Sequence, residues 1–490
     1  MLRTFSTDDQ LSFARLSGDY NPMHVDPVAA RRLMFGRPVV HGIHALLWAL
    51  DTLLSQREKA GEIVAGGAVS IVSLQSNFRG PIIVGETVEL SVAPISGGRW
   101  KLEVSKDRTK LATTVFAFNQ ATSSGMPDFV STQLPKKEKC RERIASELTN
   151  ASGQLALSLQ FELASNLFPN ASRLIAGNQL AILLATTRLV GMELPGLHSL
   201  FTGLELFRND QTTPTALLYT AEEYDPRFSM LKIAVTAPGL VGKISAALRP
   251  APTAQAGMDV IHRLVKTGEF AGQRALVIGG SRGLGEVVAK ELAAGGAEVR
   301  LTYFRGSSDA QRIVAELKGS VRPVQCFAYD VATDAGRLCD LLAGWSPTAL
   351  YYFATPFIFS AVAGRFSAEL FRSFCACYVE NFLATFMAIT SISADLSGVF
   401  YPSSSAVDEL PANMVEYTSA KAAAEMLCGS LQKSYHAVHF SIPRLPRLAT
   451  DQTASLLPAE NADPTAYILE LLRRMNAGMM AMRSGGADRL

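Results

Sequence analysis

Residues 275–285 read Ala-Leu-Val-Ile-Gly-Gly-Ser-Arg-Gly-Leu-Gly. A short apolar run enters a glycine turn, and the next stretch, EVVAKELAAGG (286–296), has helical spacing. Outward from it, EVRLTYF (298–304), DAQRIVAELKG (309–319) and VQCFAYDV (324–331) continue the alternation of apolar strand and amphipathic helix. That alternation predicts β-α-β units on a parallel, doubly wound sheet over 265–490. Gly279, Gly283 and Gly285 permit a tight turn and let the backbone, with Ser281, Arg282 and Leu284, approach a pyrophosphate at the helix N-terminus. The flanking strand and helix supply the context that a lone glycine turn lacks, so a dinucleotide site is expected.

The front half follows another pattern. A short helix is expected at 8–16, capped by Ser6 or Thr7, and a long apolar helix from about His41. AVSIVSLQSNF, TVELSVAPI, WKLEVSKD and LATTVFAFNQ then read as strands of an antiparallel sheet with one wet face, an α+β plan. Residues 150–250 repeat it in order: the helix QLAILLATTRLVGM, a turn at Pro195-Gly196, then LHSLFTGLELF, TALLYTAEEYD and MLKIAVTAP. Polar or Pro-rich runs at Pro135–Arg143 and Leu248–Gly257 read as linkers. Three domains are expected, 1–130, 145–250 and 265–490.

Composition excludes other classes. In 490 residues, 48% are hydrophobic and 18% charged, too apolar for a disordered chain. Forty-six Lys and Arg against 44 Asp and Glu leave +2, so no broad field exists for nucleic acid or an anionic membrane. The six cysteines show no CxxC spacing, and no metal is expected. The N-terminus lacks the apolar core of a signal peptide, and the apolar stretch around 174–192 carries Asn178, Gln179 and Arg188. These features predict a cytoplasmic protein with no membrane span.

In SGDYNPMHVD (17–26), Asp19 and His24 lie five residues apart in a loop stiffened by Pro22. They can converge on one water or one substrate proton. RPVVHG (37–42) leads into the long helix, which puts the Gly42 N–H at a positive helix end suited to a thioester oxyanion. A base, an acid and oxyanion donors are the parts that remove water from a 3-hydroxyacyl thioester. The run FARLSGDYNPMHVDP followed by FGRPVVHG resembles the R-specific enoyl-CoA hydratases and MaoC-like dehydratases, which have the hot-dog fold. The resemblance covers about the first 125 residues and implies Asp19 and His24 as the catalytic pair, Gly42 as oxyanion donor and His41 as a structural residue. It also implies hot-dog domains paired within one chain or by dimerisation, and 150–250, which lacks an Asp-x4-His loop, is expected to be a degenerate partner in which His198 is structural.

Tyr417 and Lys421 are one helical turn apart in YTSAK, so both can face one pocket. A Lys near a Tyr favours phenolate, making the Tyr a usable proton donor to a carbonyl being reduced. Ser404 lies at the end of the apolar strand in SGVFYPSSSAV and could bond the substrate oxygen. Glycine turn, Ser, Tyr and Lys in this order resemble the short-chain dehydrogenase/reductases over about 225 residues. The resemblance implies a Rossmann domain with Ser404, Tyr417, Lys421 and Asn381 as the catalytic set and Asp330, with Val331, at the adenine. Ile278, Phe353-Ala354-Thr355 and Leu445-Pro446-Arg447 depart from the family pattern, and spacing does not separate Ser403, Ser404 and Ser405.

The whole reads as an α+β double hot-dog followed by an α/β doubly wound domain. The expected activity is reduction of a 3-oxoacyl thioester, on CoA or acyl-carrier protein, and dehydration to the trans-2-enoyl form, or the reverse. NADPH is expected over NADH, because LTYFRG (301–306) lacks the acid that binds a ribose 2′-hydroxyl, while Arg282 and Arg305 could flank a 2′-phosphate. A homo-oligomer, dimer or tetramer, is expected through the reductase domain. The alternatives are a reductase of a sugar or polyketide ketone with a docking hot-dog half, and an inactive acyl-binding scaffold.

Overall fold

The computed structural model describes residues 1–64, 67–121, 127–210, 215–360, 364–456 and 459–487. The chain divides into two compact units, one built on Met1–Ala251 and the other on Pro252–Ala454 with the segment from Ala459.

The first unit is a ten-stranded antiparallel sheet. Its strands are β1 (Leu2–Thr4), β2 (Ala68–Phe78), β3 (Thr87–Ile95), β4 (Arg99–Lys106), β5 (Thr109–Ala121), β6 (Ser152–Ala156), β7 (Ser199–Arg208), β8 (Ala216–Asp225), β9 (Met230–Ala237) and β10 (Leu240–Leu248). Their order, β1-β3-β4-β5-β2-β7-β10-β9-β8-β6, is one five-stranded pattern followed by its mirror image. The halves join where β2 pairs with β7, Ser73 opposite Phe207. Each half contributes a long buried helix, Gly42–Lys59 and Gly177–Arg188. Leu46 and Leu50 of the first helix and Leu180 and Leu184 of the second belong to one hydrophobic cluster. The segments expected as separate domains, 1–130 and 145–250, thus share a sheet and a core, each half burying apolar residues of its helix in the common cluster.

The polar residues noted in the apolar stretch of the second helix have work there. A bulge in β2 between Ile71 and Ser73 breaks its pairing with β5, and Gln179 Oε1 accepts the Ile71 N–H at 2.7 Å. A buried backbone donor that sheet pairing abandons is satisfied by a side chain from the other half.

The second unit holds β11 (Arg274–Ile278), β12 (Glu298–Tyr303), β13 (Val324–Ala328), β14 (Ala349–Tyr352), β15 (Gly398–Phe400), β16 (Ser403–Ser404), β17 (His439–Ser441) and β18 (Arg444–Leu445). Six of them form a parallel sheet in the order β13-β12-β11-β14-β15-β17. This is the doubly wound 3-2-1-4-5-6 order, whose ligand crevice lies at the carboxyl ends of the strands beside the first one. The glycine turn follows β11 there, and Phe353 follows β14.

Two expectations need correction. Neither predicted linker is a free connector. Cys140 is buried in the first unit, and the Arg141 N–H donates to the Met192 carbonyl at 2.8 Å. Arg249 is buried as well, while Thr253 N–H donates to Asp451 Oδ1 at 2.7 Å. Proline and polar residues marked irregular backbone, and irregular backbone can still be packed. The second unit also starts before 265, since the helix Met258–Leu264 packs on Gly283–Ala294. Among the described residues, the helical stretch Ala368–Ile392 is long and apolar enough to cross a membrane by length and composition. One face of it, including Phe374, Phe382 and Phe386, is built into a core cluster with Tyr352 and Tyr401.

Candidate active sites

Ser6 caps the helix Thr7–Ser17 through a capping box with Asp9, and Gly18 ends it in the left-handed conformation at φ 80°. The chain leaves the helix into the loop of Asp19. Asn21 caps the next turn by accepting the Met23 N–H at 3.1 Å, and that turn, Pro22–Val25, carries His24. Asn21 Nδ2 donates to the carbonyls of Gly191 at 3.0 Å and Gly196 at 3.2 Å, which pins the loop to the second half of the unit.

The Asp19 carboxylate and the ring nitrogens of His24 and His41 lie within 4.8 Å of one another, and all three residues are buried. Asp19 Oδ1 accepts the Asn21 N–H at 3.2 Å, and Oδ2 accepts the Thr187 hydroxyl at 2.7 Å. Gly191 is pressed against the same carboxylate: a Cβ there would lie 2.1 Å from Oδ1. Burial raises Asp19, while His24, Thr187 and Asn21 pull it back down. His24 Nδ1 donates to the Val39 carbonyl at 2.8 Å, so Nε2 is the nitrogen left for proton transfer. Burial lowers His24, and Asp19 partly restores it.

His41 does more than begin a helix. It is the N-cap of Gly42–Lys59, its ring stacks on His24 with centroids 3.8 Å apart, and its Nε2 lies 3.0 Å from the Asp19 carbonyl oxygen. Gln10 Oε1 accepts the His41 backbone N–H at 3.1 Å. Gly42 is the first residue of the helix, where the N–H has no intrahelical acceptor; Phe78 lies 3.2 Å from where a Cβ would project. His198 Nε2 pairs with Glu142 at 3.0 Å. The sequence did not mark Thr187, Gly191 or Gln10, because nothing in their local spacing says that the first two meet Asp19 and the third holds His41.

In the second unit the glycine turn is built for close backbone approach. Gly279 has φ 76°, and a Cβ there would lie 2.9 Å from the Phe353 carbonyl carbon; at Gly285 a Cβ would lie 2.3 Å from the Gly279 oxygen. The helix Gly283–Ala294 starts with no side-chain cap, leaving its first N–H groups to an anion. Ser281 is buried, and Leu284 packs on the core. Arg282 forms an ion pair with Asp451 at 3.5 Å, and Arg305 lies over the Phe304 ring at 4.7 Å. Asp330 Oδ1 accepts the Ala332 N–H at 3.0 Å, bending the loop of Val331 after β13. These residues fit a dinucleotide: an open turn, free helix-start donors and cations at its end.

Ser404 and Tyr417 come together. Burial raises the Tyr417 phenol, and the Ser404 hydroxyl pulls it back. Ser403 is engaged by Glu425, which Arg444 also holds, so the serine beside the tyrosine is Ser404. Lys421 lies on the same helix as Tyr417, Val415–Ser434. Its Nζ donates to the Pro402 carbonyl at 2.7 Å and lies 4.0 Å from the Tyr378 ring centroid. It is itself lowered to about 8, mainly by burial. Asn381 opens the helix Asn381–Ile392 after a π turn, Ala376–Glu380. The Tyr352 and Tyr401 hydroxyls donate to the Cys377 and Tyr378 carbonyls that this turn frees, at 2.8 and 3.1 Å.

Comparison with known proteins places two families on this chain. Residues 2–115 match the family described as MaoC like domain, and residues 273–344 the family described as short chain dehydrogenase. Residues 2–115 are thus a MaoC-like domain, and the second unit carries a short-chain dehydrogenase domain. Ser404, Tyr417 and Lys421 lie beyond the matched stretch. The (R)-specific enoyl-CoA hydratase of Aeromonas caviae is 33% identical over 90 residues, 18% of this chain and 62% of that enzyme. The 3-hydroxybutyryl-CoA dehydratase of Methylorubrum extorquens is 27% identical over 137 residues, 28% of this chain and 78% of that enzyme. The peroxisomal multifunctional enzyme type 2 of Drosophila melanogaster is 30% identical over 87 residues, 18% of this chain, and the match spans only 14% of that enzyme. Among solved structures, a short chain dehydrogenase from Burkholderia cenocepacia in complex with NADP is 24% identical with a TM-score of 0.34, over 40% of this chain and 82% of that one.

Proposed function

We propose that this chain, in which a MaoC-like domain is joined to a short-chain dehydrogenase domain, reduces a 3-oxoacyl thioester to its 3-hydroxyacyl form and dehydrates that to the trans-2-enoyl thioester. The observation that carries the reading is the presence of two assembled proton-transfer sites in one chain: Asp19 with His24, and Ser404 with Tyr417, one helical turn from Lys421. The mirror order of the ten strands supports a tandem hot-dog pair in which the second half buttresses the first.

For dehydration, two protons must move. One leaves C2 of the thioester and one joins the 3-hydroxyl that departs as water, with the C3–O bond breaking as the C2=C3 bond forms. His24 Nε2 and the Asp19 carboxylate are the groups for those transfers, and the Gly42 N–H at the helix start is placed for the enolate oxygen. For reduction, a bound nicotinamide would supply the hydride to C3. Tyr417 gives its phenolic proton to the forming alkoxide, Ser404 orients the oxygen, and the Lys421 charge supports the phenolate that results. Gly279, Gly283 and Gly285 would admit the pyrophosphate, Asp330 and Val331 the adenine, and Arg282 and Arg305 a 2′-phosphate. NADPH is the proposed cofactor, and CoA or an acyl-carrier protein the carrier.

The test is to incubate the full chain with 3-oxoacyl thioesters of graded length on both carriers, with NADPH or NADH, and to follow products by mass. Accumulation of 3-hydroxyacyl and 2-enoyl thioesters is expected. A reduced product from a sugar or polyketide ketone, with no thioester turnover, would replace the reading. The names of relatives such as the peroxisomal hydratase-dehydrogenase-epimerase of Saccharomyces cerevisiae, 47% identical over 38 residues, 8% of this chain and 4% of that enzyme, favour a second reading, hydration followed by oxidation. Starting the same assay from the 2-enoyl thioester with NADP or NAD decides between the directions.

A further inference from the structure

Arg249 follows the last strand of the first unit and is 2% exposed. Its backbone N–H donates to the His198 carbonyl at 2.8 Å, and its Nη2 to the Leu197 carbonyl at 2.7 Å. The same Leu197 oxygen accepts from Asn21 Nδ2 at 3.3 Å, and Asn21 caps the turn that carries His24. Arg249 therefore shares an anchor with the loop of Asp19 and His24, and its charge reaches His24, which it lowers. Holding Leu197 uses one donor. The other two nitrogens, Nε and Nη1, are buried and meet no acceptor among the described residues.

Nor, among the described residues, does the guanidinium meet a counter-charge. The ionisable group that acts on it is the Cys140 thiol, which burial pushes up to about 12 and so keeps neutral. Arg249 itself, lowered to about 10 by burial, remains charged at neutral pH. Protein interiors pair their buried charges and satisfy their buried donors. A planar fork with two idle donors beside a catalytic pair is complementary to an oxygen anion that arrives from outside.

Resting on the reading of this site as an acyl-thioester dehydratase, we propose that Arg249 is its anion-reading residue, with Nε and Nη1 donating to an oxygen anion of the bound thioester. Such a substrate offers that chemistry in two places: the enolate oxygen that forms when the C2 proton leaves, and a carboxylate on the acyl chain. No local sequence signal marks the residue, which lies in a run that reads as a linker.

The experiment measures hydration of crotonyl-CoA, whose acyl chain is neutral, and glutaconyl-CoA, whose chain ends in a carboxylate, by the full chain and its Arg249→Met and Arg249→Lys variants. A loss in Arg249→Met of tenfold or more in kcat on both thioesters, partly recovered by Lys, assigns the enolate oxygen. A loss at least tenfold greater on glutaconyl-CoA, carried by KM, assigns the chain carboxylate. Rates within twofold of the parent on both thioesters overturn the proposal. So does an equal loss in the Met and Lys variants with a lowered unfolding temperature, which would make Arg249 a strut for the 197–198 loop. If the parent hydrates neither thioester, the dehydratase reading itself falls. Calorimetry with saturated butyryl-CoA and glutaryl-CoA then decides for Arg249: a glutaryl preference that disappears in Arg249→Met sustains it, and equal binding overturns it.

Discussion

The Thr187 hydroxyl donates to Asp19 Oδ2 at 2.7 Å, joining residues 168 positions apart in the chain and on different halves of the ten-stranded sheet. The bond stabilises the ionised carboxylate against the burial that raises it. A hydrogen bond to a charged group contributes about 1.5 to 3 kcal/mol, roughly one to two pKa units. Thr187→Val keeps the shape and removes the donor, so Asp19 should rise further. The acid limb of the dehydration pH profile, set by ionised Asp19, should then move to higher pH by about one unit, while ketone reduction keeps its profile. An unmoved limb would separate Thr187 from the chemistry.

Asp19→Asn and His24→Ala should each cost roughly 10²-fold or more in dehydration, because each removes one of the two groups that move a proton. Reduction of a 3-oxoacyl thioester by the same variants should be unchanged. Dehydration at the parent rate in both would remove the pair from the mechanism.

Tyr417→Phe should abolish reduction and keep cofactor affinity in a fluorescence titration, since only the donated proton is lost. The lysine gives this site a second, pH-dependent signature. Lys421 is lowered to about 8, so its charge is present below that value and is lost as the pH rises through it. Reduction should decline about tenfold per pH unit above roughly 8. A flat rate from pH 7 to 9.5 would show that the ammonium charge is not required.

Removing both cations from the cofactor end, Arg282→Ala with Arg305→Ala, should weaken NADPH by about 2 to 5 kcal/mol and leave NADH nearly untouched. Because Arg282 is already paired with Asp451, Asp451→Asn should tighten NADPH in the parent by freeing the guanidinium. A parent that prefers NADH, or an unchanged efficiency ratio in the double variant, would show that these arginines do not read the phosphate.

Lys290 is buried between Glu286 at 2.8 Å and Glu316 at 2.7 Å. Lys290→Met leaves the buried Glu286 carboxylate, and the exposed Glu316 beside it, with Arg312 to balance them, which should cost about 3 kcal/mol in the denaturant unfolding of the second unit. A loss below about 1 kcal/mol would mean that the network is held by Arg312 alone.

The sequence by itself determined whatever depends on near neighbours. Strand periodicity set β2 at 68–78 and β3 at 87–95 as the structure has them. The glycine turn permitted the tight backbone in which Gly279 and Gly283 take positive φ, and the spacing of Asp19 and His24 let their side chains converge, as they do. These are short-range consequences of alternation, turn geometry and side-chain reach, which one segment expresses without knowing its partners. Only tertiary structure decided the pairing of β2 with β7, the entry of Thr187 and Gly191 to the Asp19 carboxylate, the burial of Arg249 in an apparent linker, and the choice of Ser404 over Ser403. Each depends on which surfaces meet after collapse. A side chain's partner a hundred or more residues away is set by the packing of whole sheets and helices, and no local pattern encodes it.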